Sequence, residues 1–338
     1  MVAAEHRGPR ASAAAGLSST MTVGIDVGGT SVRAAVVDIG GRIHDTSRAQ
    51  TPATAEALEN CLDRLVGEFR TRWPISAIGL ALAGFFDSDC SVLRYAPHLP
   101  WRETAVAAQM SERIGLPVFC EHDANAAAAA EYRFGAAAHG RNVVVMTLGT
   151  GVGAGFLQDG RLYRGSFGVA PELGHIQVVP DGRSCACGKR GCFERYCSGT
   201  ALVDTVVEIA ADHRHYGSGL ARESAIDPGS LTGRRIAAAA SEGDEVGLAA
   251  FADLAQWLGA GLATVADVFD PDVIVVAGGV GTSAHLFLDD AREHYRARVT
   301  GAGHRSLARI RPTQLGETGG MVGAAEVARQ RLGSSLPR

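Results

Sequence analysis

The sequence predicts an α/β protein of two lobes produced by internal duplication. Three observations carry that expectation. Residues 22–50 read as three short runs, TVGIDV, SVRAAVVDI and RIHDTSRAQ, separated by glycine turns, with apolar positions alternating in the second, which is the pattern of an antiparallel meander. The same strand, glycine turn, strand, glycine turn, strand order returns from Val143 in VVVMTLGTGVGAGFLQDGRLYRG, and such self-similarity marks internal duplication. Finally, 338 residues are more than one hydrophobic core usually holds.

In order along the chain, residues 1–20 lack an apolar stretch of signal-peptide length and read as a disordered extension. A helix is expected at 53–72, with Pro74 enforcing its end, then a strand at 76–82, a helix at 103–114 and a strand at 117–121. An alanine-rich helix follows Asp123. In the second half, 211–230 is rich in Gly, Ser and His and reads as a surface loop, 231–269 as helical, and 272–278 as a buried strand running into the turn Gly278–Gly281. Helices are expected near 285–299 and 321–332. The lobes are placed at 21–127 plus 320–338 and at 128–319.

Composition narrows the partners. With 46% hydrophobic and 20% charged residues the chain is ordinary globular. A net charge of −4 and no long basic run argue against nucleic acid, and no uninterrupted apolar run reaches the length of a membrane span. Seven cysteines, three of them clustered, fit a reducing cytoplasm better than a disulfide framework. Lys189 is the only lysine and Arg190 follows it, so a Walker A loop, which needs Gly-Lys-Ser/Thr, is excluded. Any nucleotide is held by other means.

The stretch ELGHIQVVPDGRSCACGKRGCFE, Glu172 to Glu194, places His175 ten positions before Cys185, with Cys187 and Cys192 close behind. Three thiolates and an imidazole complete a tetrahedral zinc site and leave no position for water or substrate, so the expected metal is structural. Gly182, Gly188 and Gly191 let the loop fold tightly around it. Glu172 and Glu194 bracket the site.

Taken together, DVGGT (26–30), TLGTGVG (147–153), ELGH with CACGKRGC (172–192) and VVAGGVG (275–281) resemble the ROK family of sugar kinases and repressors, over about Met21 to Leu332. The resemblance implies the duplicated actin-like, ribonuclease H-like βββαβαβα fold, two lobes with a cleft between them, in which hairpin-turn amides hold phosphates. The repressors carry an added helix-turn-helix domain before the first glycine turn. Some twenty residues precede it here, which favours the kinase branch.

The resemblance also implies roles. Asp26 helps organise Mg²⁺; Gly28, Gly29 and Thr30 approach the transferred phosphate; Gly149, Thr150 and Gly151 hold the middle phosphates of ATP; Gly278 and Gly279 contact adenosine. Asp123, in Glu121-His122-Asp123-Ala124-Asn125, is the expected catalytic base, taking the proton of a primary sugar hydroxyl as it attacks the γ-phosphorus. Asp is also a favoured helix N-cap, and both roles can coexist. Glu172, His175 and Glu194 complete the sugar pocket, His175 giving one nitrogen to zinc and the other to the sugar.

Family glucokinases read Asn-Leu and Asn-Asp where this chain has His98-Leu99 and His122-Asp123. An imidazole offers a different donor and acceptor arrangement from a carboxamide. A sugar altered on that edge is therefore expected, with kanosamine (3-amino-3-deoxyglucose) of antibiotic biosynthesis the best match among sugars handled by such kinases. An ordinary glucokinase and a sugar-sensing regulator are the alternatives, polyphosphate remains open as donor, and family members are commonly dimers or tetramers.

Overall fold

The computed structural model describes residues 21–212 and 217–335; the extension expected at 1–20 lies outside them. The chain divides into two compact units, one running through Ala126 and resuming at Gly320, the other Ala127–Gly319.

In the first unit, β1 (Met21–Val27), β2 (Ser31–Val37), β3 (Ile43–Gln50), β4 (Ile75–Leu82) and β8 (Val118–His122) form one sheet in the order β3-β2-β1-β4-β8. The first three strands pair antiparallel, while β1, β4 and β8 run parallel. Strand β4 is buried at every position from Ala77 to Leu82, as expected of a strand covered on both faces. On one face lie α1 (Ala55–Arg70), capped by the Thr54 hydroxyl accepting from the Ala57 amide, and α2 (Val106–Ile114), which ends where Gly115 turns left-handed. Leu58, Leu62, Leu65 and Phe69 of α1 meet Ile25, Ile78 and Leu80 of the sheet in one apolar core.

The last helix, α10 (Gly319–Ser335), lies so close to that sheet that two strand positions have no room for a side chain. A Cβ on Gly24 would stand 1.8 Å from the Met321 carbonyl oxygen, and one on Gly79 would stand 1.8 Å from that of Ala324. Glycine is required at both positions by backbone approach. Helix α3 (Asp123–Phe134) begins in the first unit and ends in the second.

The second unit repeats the plan. Strands β9 (Asn142–Leu148), β10 (Val152–Gln158), β11 (Arg161–Tyr163), β12 (Val273–Ala277) and β13 (Arg309–Pro312) take the order β11-β10-β9-β12-β13, antiparallel through the first three and parallel from β9 through β13. The two sheets thus share one topology, and the duplication read from the glycine turns is a duplication of structure. Helices α4 (Gly199–Ala210), α5 (Gly219–Ile226), α6 (Gly233–Ser241), α7 (Glu245–Phe269), the short α8 (Gly278–Gly281) and α9 (Leu288–Arg298) complete the unit. At 25 residues α7 is long and apolar enough to cross a bilayer, but Phe251, Leu254, Leu258 and Leu262 are buried in the core against α4, α6 and α9.

Several expectations need correction. The 211–230 segment, read as a loop, contains α5, because the Ser218 hydroxyl caps it by accepting from the Ala221 amide; residues 213–216 lie outside the described set. The single helical region at 231–269 is two helices, broken where Gly243 turns left-handed and Asp244 accepts from the Val246 and Gly247 amides. The turn Gly278–Gly281 is one turn of helix. A small antiparallel sheet of β5 (Phe85–Phe86), β6 (Leu93–Tyr95) and β7 (Arg102–Thr104) was not anticipated, and it takes the first residues assigned to the 103–114 helix. Its strands of two or three residues are too short to show alternation. Strand β13 was likewise missed.

Candidate functional site

Each unit presents a glycine turn at the same place in its sheet, between the central strand and its antiparallel neighbour. In the first unit the Gly28 amide donates to the Ser31 carbonyl at 3.0 Å, closing the turn from β1 to β2. The antiparallel register sets Asp26 opposite Arg33, and Arg33 Nη2 donates to Asp26 Oδ2 at 2.5 Å. Burial pushes the Asp26 carboxyl above its ordinary value, Arg33 draws it back, and the negative charge of Asp123 pushes it up again. The start of α10 closes over this acid: a Cβ on Gly320 would lie 2.9 Å from Asp26 Oδ2. Arg33 and Gly320 were not singled out from the sequence; the hairpin register could have flagged Arg33, whereas Gly320 carried no signal.

Asp123 opens α3 directly after β8, and its Oδ1 accepts from the Ala124 amide at 2.7 Å, leaving the side chain 43% exposed. An acid at this exposed helix start can take a proton from a ligand hydroxyl. His122 Nε2 lies 3.4 Å from Asp123 Oδ1. Behind them Glu121, 1% exposed, accepts from Asn125 Nδ2 at 3.0 Å and from Arg331 Nη2 at 3.3 Å, which fixes the strand-to-helix junction. His98 is exposed and packs on the glycine turn, since a Cβ on Gly29 would lie 2.8 Å from His98 Cβ. Thus Asp26, Gly28, Gly29, Thr30, His98, His122 and Asp123 belong to one unit, with His98 against the turn and His122 against the acid.

In the second unit the Gly149 amide donates to the Gly151 carbonyl at 2.9 Å. Two neighbouring helix starts bear on this turn. The Gly199 amide, at the start of α4, donates to the Gly149 carbonyl at 2.7 Å, and the Thr200 hydroxyl donates to the Thr150 carbonyl at 2.8 Å. Gly278, at φ +81°, packs on the end of β9, where a Cβ would meet the Leu148 carbonyl at 2.5 Å. No neighbouring atom lies within 4 Å of a Cβ built on Gly149 or Gly279. A glycine turn beside a helix N-terminus is a standard setting for a phosphate cradle. Ser198-Gly199-Thr200 were overlooked, although a Ser before an apolar run is a helix-start signal.

The cysteine loop folds as its spacing requires. Gly188 and Gly191 take positive φ of 90° and 73°, and the ligand atoms of His175, Cys185, Cys187 and Cys192 all lie within 4.8 Å of one another. Cys187 and Cys192 Sγ are 3.6 Å apart, and Cys185 Sγ is 3.7 Å from His175 Nδ1. Thiolates about 2.3 Å from a tetrahedral zinc stand roughly 3.8 Å apart, so the four residues fit such an ion. His175 turns Nδ1 to the cluster and Nε2 toward Glu172, whose Oε2 is 4.0 Å away. Glu194 has partners that its expected role did not include. Its Oε2 accepts from the Val152 amide at 3.1 Å, and its Oε1 lies 3.5 Å from Cys185 Sγ.

Residues 22–331 match the ROK family. The chain belongs to the ROK family. Its fold is the duplicated actin-like fold of that family's kinases. This ROK chain is 40% identical over 310 residues to a glucokinase of Streptomyces coelicolor, an alignment covering 92% of this chain and 98% of that one. It is similar, at 40% identity and a TM-score of 0.83, to the crystal structure of a ROK family glucokinase from Streptomyces griseus in complex with glucose and AMPPNP, covering 92% of this chain and 99% of that one. The xylose repressor of Bacillus subtilis is 28% identical over 312 residues, 90% of this chain and 76% of the repressor. The family therefore includes relatives of both kinase and repressor type.

Proposed function

We propose that this protein is a glucokinase-type kinase that transfers the γ-phosphoryl group of ATP to the 6-hydroxyl of a glucopyranose-like sugar. The observation that supports this most is the pair of glycine turns at matching sheet positions together with an exposed acid at the start of α3. The 40% identity to a glucokinase over 98% of its length points the same way. In this reading Gly28, Gly29 and Thr30 approach the transferred phosphate, Gly149, Thr150 and Gly151 hold the phosphates behind it, and Gly278 and Gly279 meet adenosine. Mg²⁺ near Asp26 supplies neutralisation of phosphate charge. Asp123 takes the proton of the sugar hydroxyl as its oxygen bonds to phosphorus and the bond to the ADP oxygen breaks. Glu172, His175 and Glu194 border the sugar, and His175, Cys185, Cys187 and Cys192 would hold a closed structural Zn²⁺. We read the compartment as cytoplasmic and the protein as a homo-oligomer, as the resemblance implies.

For the sugar itself we propose kanosamine. His98 beside Gly29 and His122 beside Asp123 replace the two asparagines of the glucokinase pattern, and a neutral imidazole nitrogen can accept from a 3-ammonium group. Sugar-dependent ADP release, measured with glucose and kanosamine in parallel, tests both levels. Release with neither sugar would remove the kinase in favour of a sugar-sensing regulator, the reading that similarity to the xylose repressor supports. A higher kcat/KM for glucose leaves the kinase and removes the amino-sugar reading. Asp123→Asn is expected to retain sugar binding and lose turnover by about a hundredfold or more.

A further inference from the structure

The segment carrying the metal ligands also encloses the second glycine turn. Four contacts within the second unit join them. Glu194 Oε2 accepts from the Val152 amide at 3.1 Å. Gly174, next to His175, sits so tightly against Val152 that a Cβ would lie 2.3 Å from its carbonyl oxygen. The Gly199 amide donates to Gly149 O at 2.7 Å, and Thr200 Oγ1 donates to Thr150 O at 2.8 Å. Residues 174–200 therefore bear on each of Gly149, Thr150 and Val152. A Cβ on Gly151 would stand 2.2 Å from Glu194 Oε2, so a side chain there would displace that carboxylate.

Glu194 is the pivot of this arrangement. It is two residues past the ligand Cys192 and 42 residues past Val152. One carboxylate oxygen holds the turn and the other lies 3.5 Å from Cys185 Sγ and 4.0 Å from His175 Nδ1. Its side chain is 20% exposed, so the bond to Val152 is partly shielded from water. A carboxylate accepting from a backbone amide makes one of the stronger hydrogen bonds available to a protein.

We infer that Glu194 is a positioning residue for the phosphate donor: it pins the Gly149–Gly151 turn in its nucleotide-holding shape. This rests on the reading that the turn holds ATP phosphates. A glutamate that served the sugar alone would have no influence on nucleotide affinity in the absence of sugar. One that pins the turn must.

The test is calorimetric titration of AMPPNP with Mg²⁺ into the full-length protein without sugar, for wild type, Glu194→Ala, Glu194→Gln and Thr200→Val, with zinc content and melting temperature recorded for each. Glu194→Ala is expected to weaken AMPPNP binding about tenfold while keeping one zinc per chain. Glu194→Gln keeps an oxygen for the Val152 amide and is expected to stay within about twofold of wild type, while Thr200→Val falls between. Wild-type affinity in Glu194→Ala overturns the proposal, as does equal weakening in Glu194→Ala and Glu194→Gln. If Glu194→Ala does not fold, wild-type affinity in Thr200→Val overturns it. Failure of the wild-type protein itself to bind AMPPNP removes the underlying assignment of the turn and is seen before any variant is compared.

Discussion

Asp26, the acid proposed to organise Mg²⁺, is held at a cost to the folded chain. Its carboxyl is drawn off water beneath Gly320, with only part of the loss offset by Arg33 and with Asp123 repelling it, so its folded pKa stands above the unfolded value. An acid whose pKa is raised by folding binds its proton more tightly in the native state. Its destabilising effect is absent below the unfolded pKa, grows as pH rises through the folded one, and is constant above. Asp26→Asn, measured without ligands, is accordingly expected to unfold at higher urea concentration than wild type at neutral pH, with the gap closing as pH falls through the carboxylate range. A gap that is constant with pH would mean that ionisation of Asp26 costs the fold nothing. The same variant should lose activity, because the charge that costs the fold stability is the one that would help organise Mg²⁺ in the proposed mechanism.

Among the elements, α10 and α1 treat glycine in opposite ways. Gly24 and Gly79 let the backbone of α10 rest on β1 and β4, each facing a carbonyl oxygen 1.8 Å from where a Cβ would be. Backbone on both sides leaves nothing that can rotate away, so Gly79→Ala is expected to destabilise by about 3 kcal/mol or more. Gly67, within α1, is exposed and has no atom within 4 Å of its would-be Cβ. Gly67→Ala should stabilise by about 0.5–1 kcal/mol through helix propensity alone. Urea denaturation of both variants measures the contrast, and a neutral Gly79→Ala would show that α10 does not seat on the sheet as described. The helix was expected from its apolar pattern; its depth of seating was not, because a glycine in a strand reads equally as a bulge or as a close approach.

For the molecule as a whole, the proposed zinc would tie stability to the cysteine loop. The four donors converge without disulfides among the described residues, and Cys187 is the exposed member through which a chelator would gain access. Removing zinc is expected to lower the melting temperature by roughly 5 °C or more, and an unchanged melting temperature after verified metal loss would remove the structural assignment. Much of this organisation was legible in the chain. Three thiolates and a histidine at that spacing have few other uses, and two glycine turns in two like settings declare a repeated sheet. Asp26 opposite Arg33 follows from pairing across one hairpin. These are local patterns, set by residues near one another in sequence. Glu194 on the Val152 amide, His98 on Gly29 and the backbone of α10 on Gly24 and Gly79 join residues 42 to nearly 300 positions apart. Their partners are mostly backbone atoms, which every residue type carries alike, so no side-chain pattern announces them and only the packed chain selects which amide or carbonyl is met.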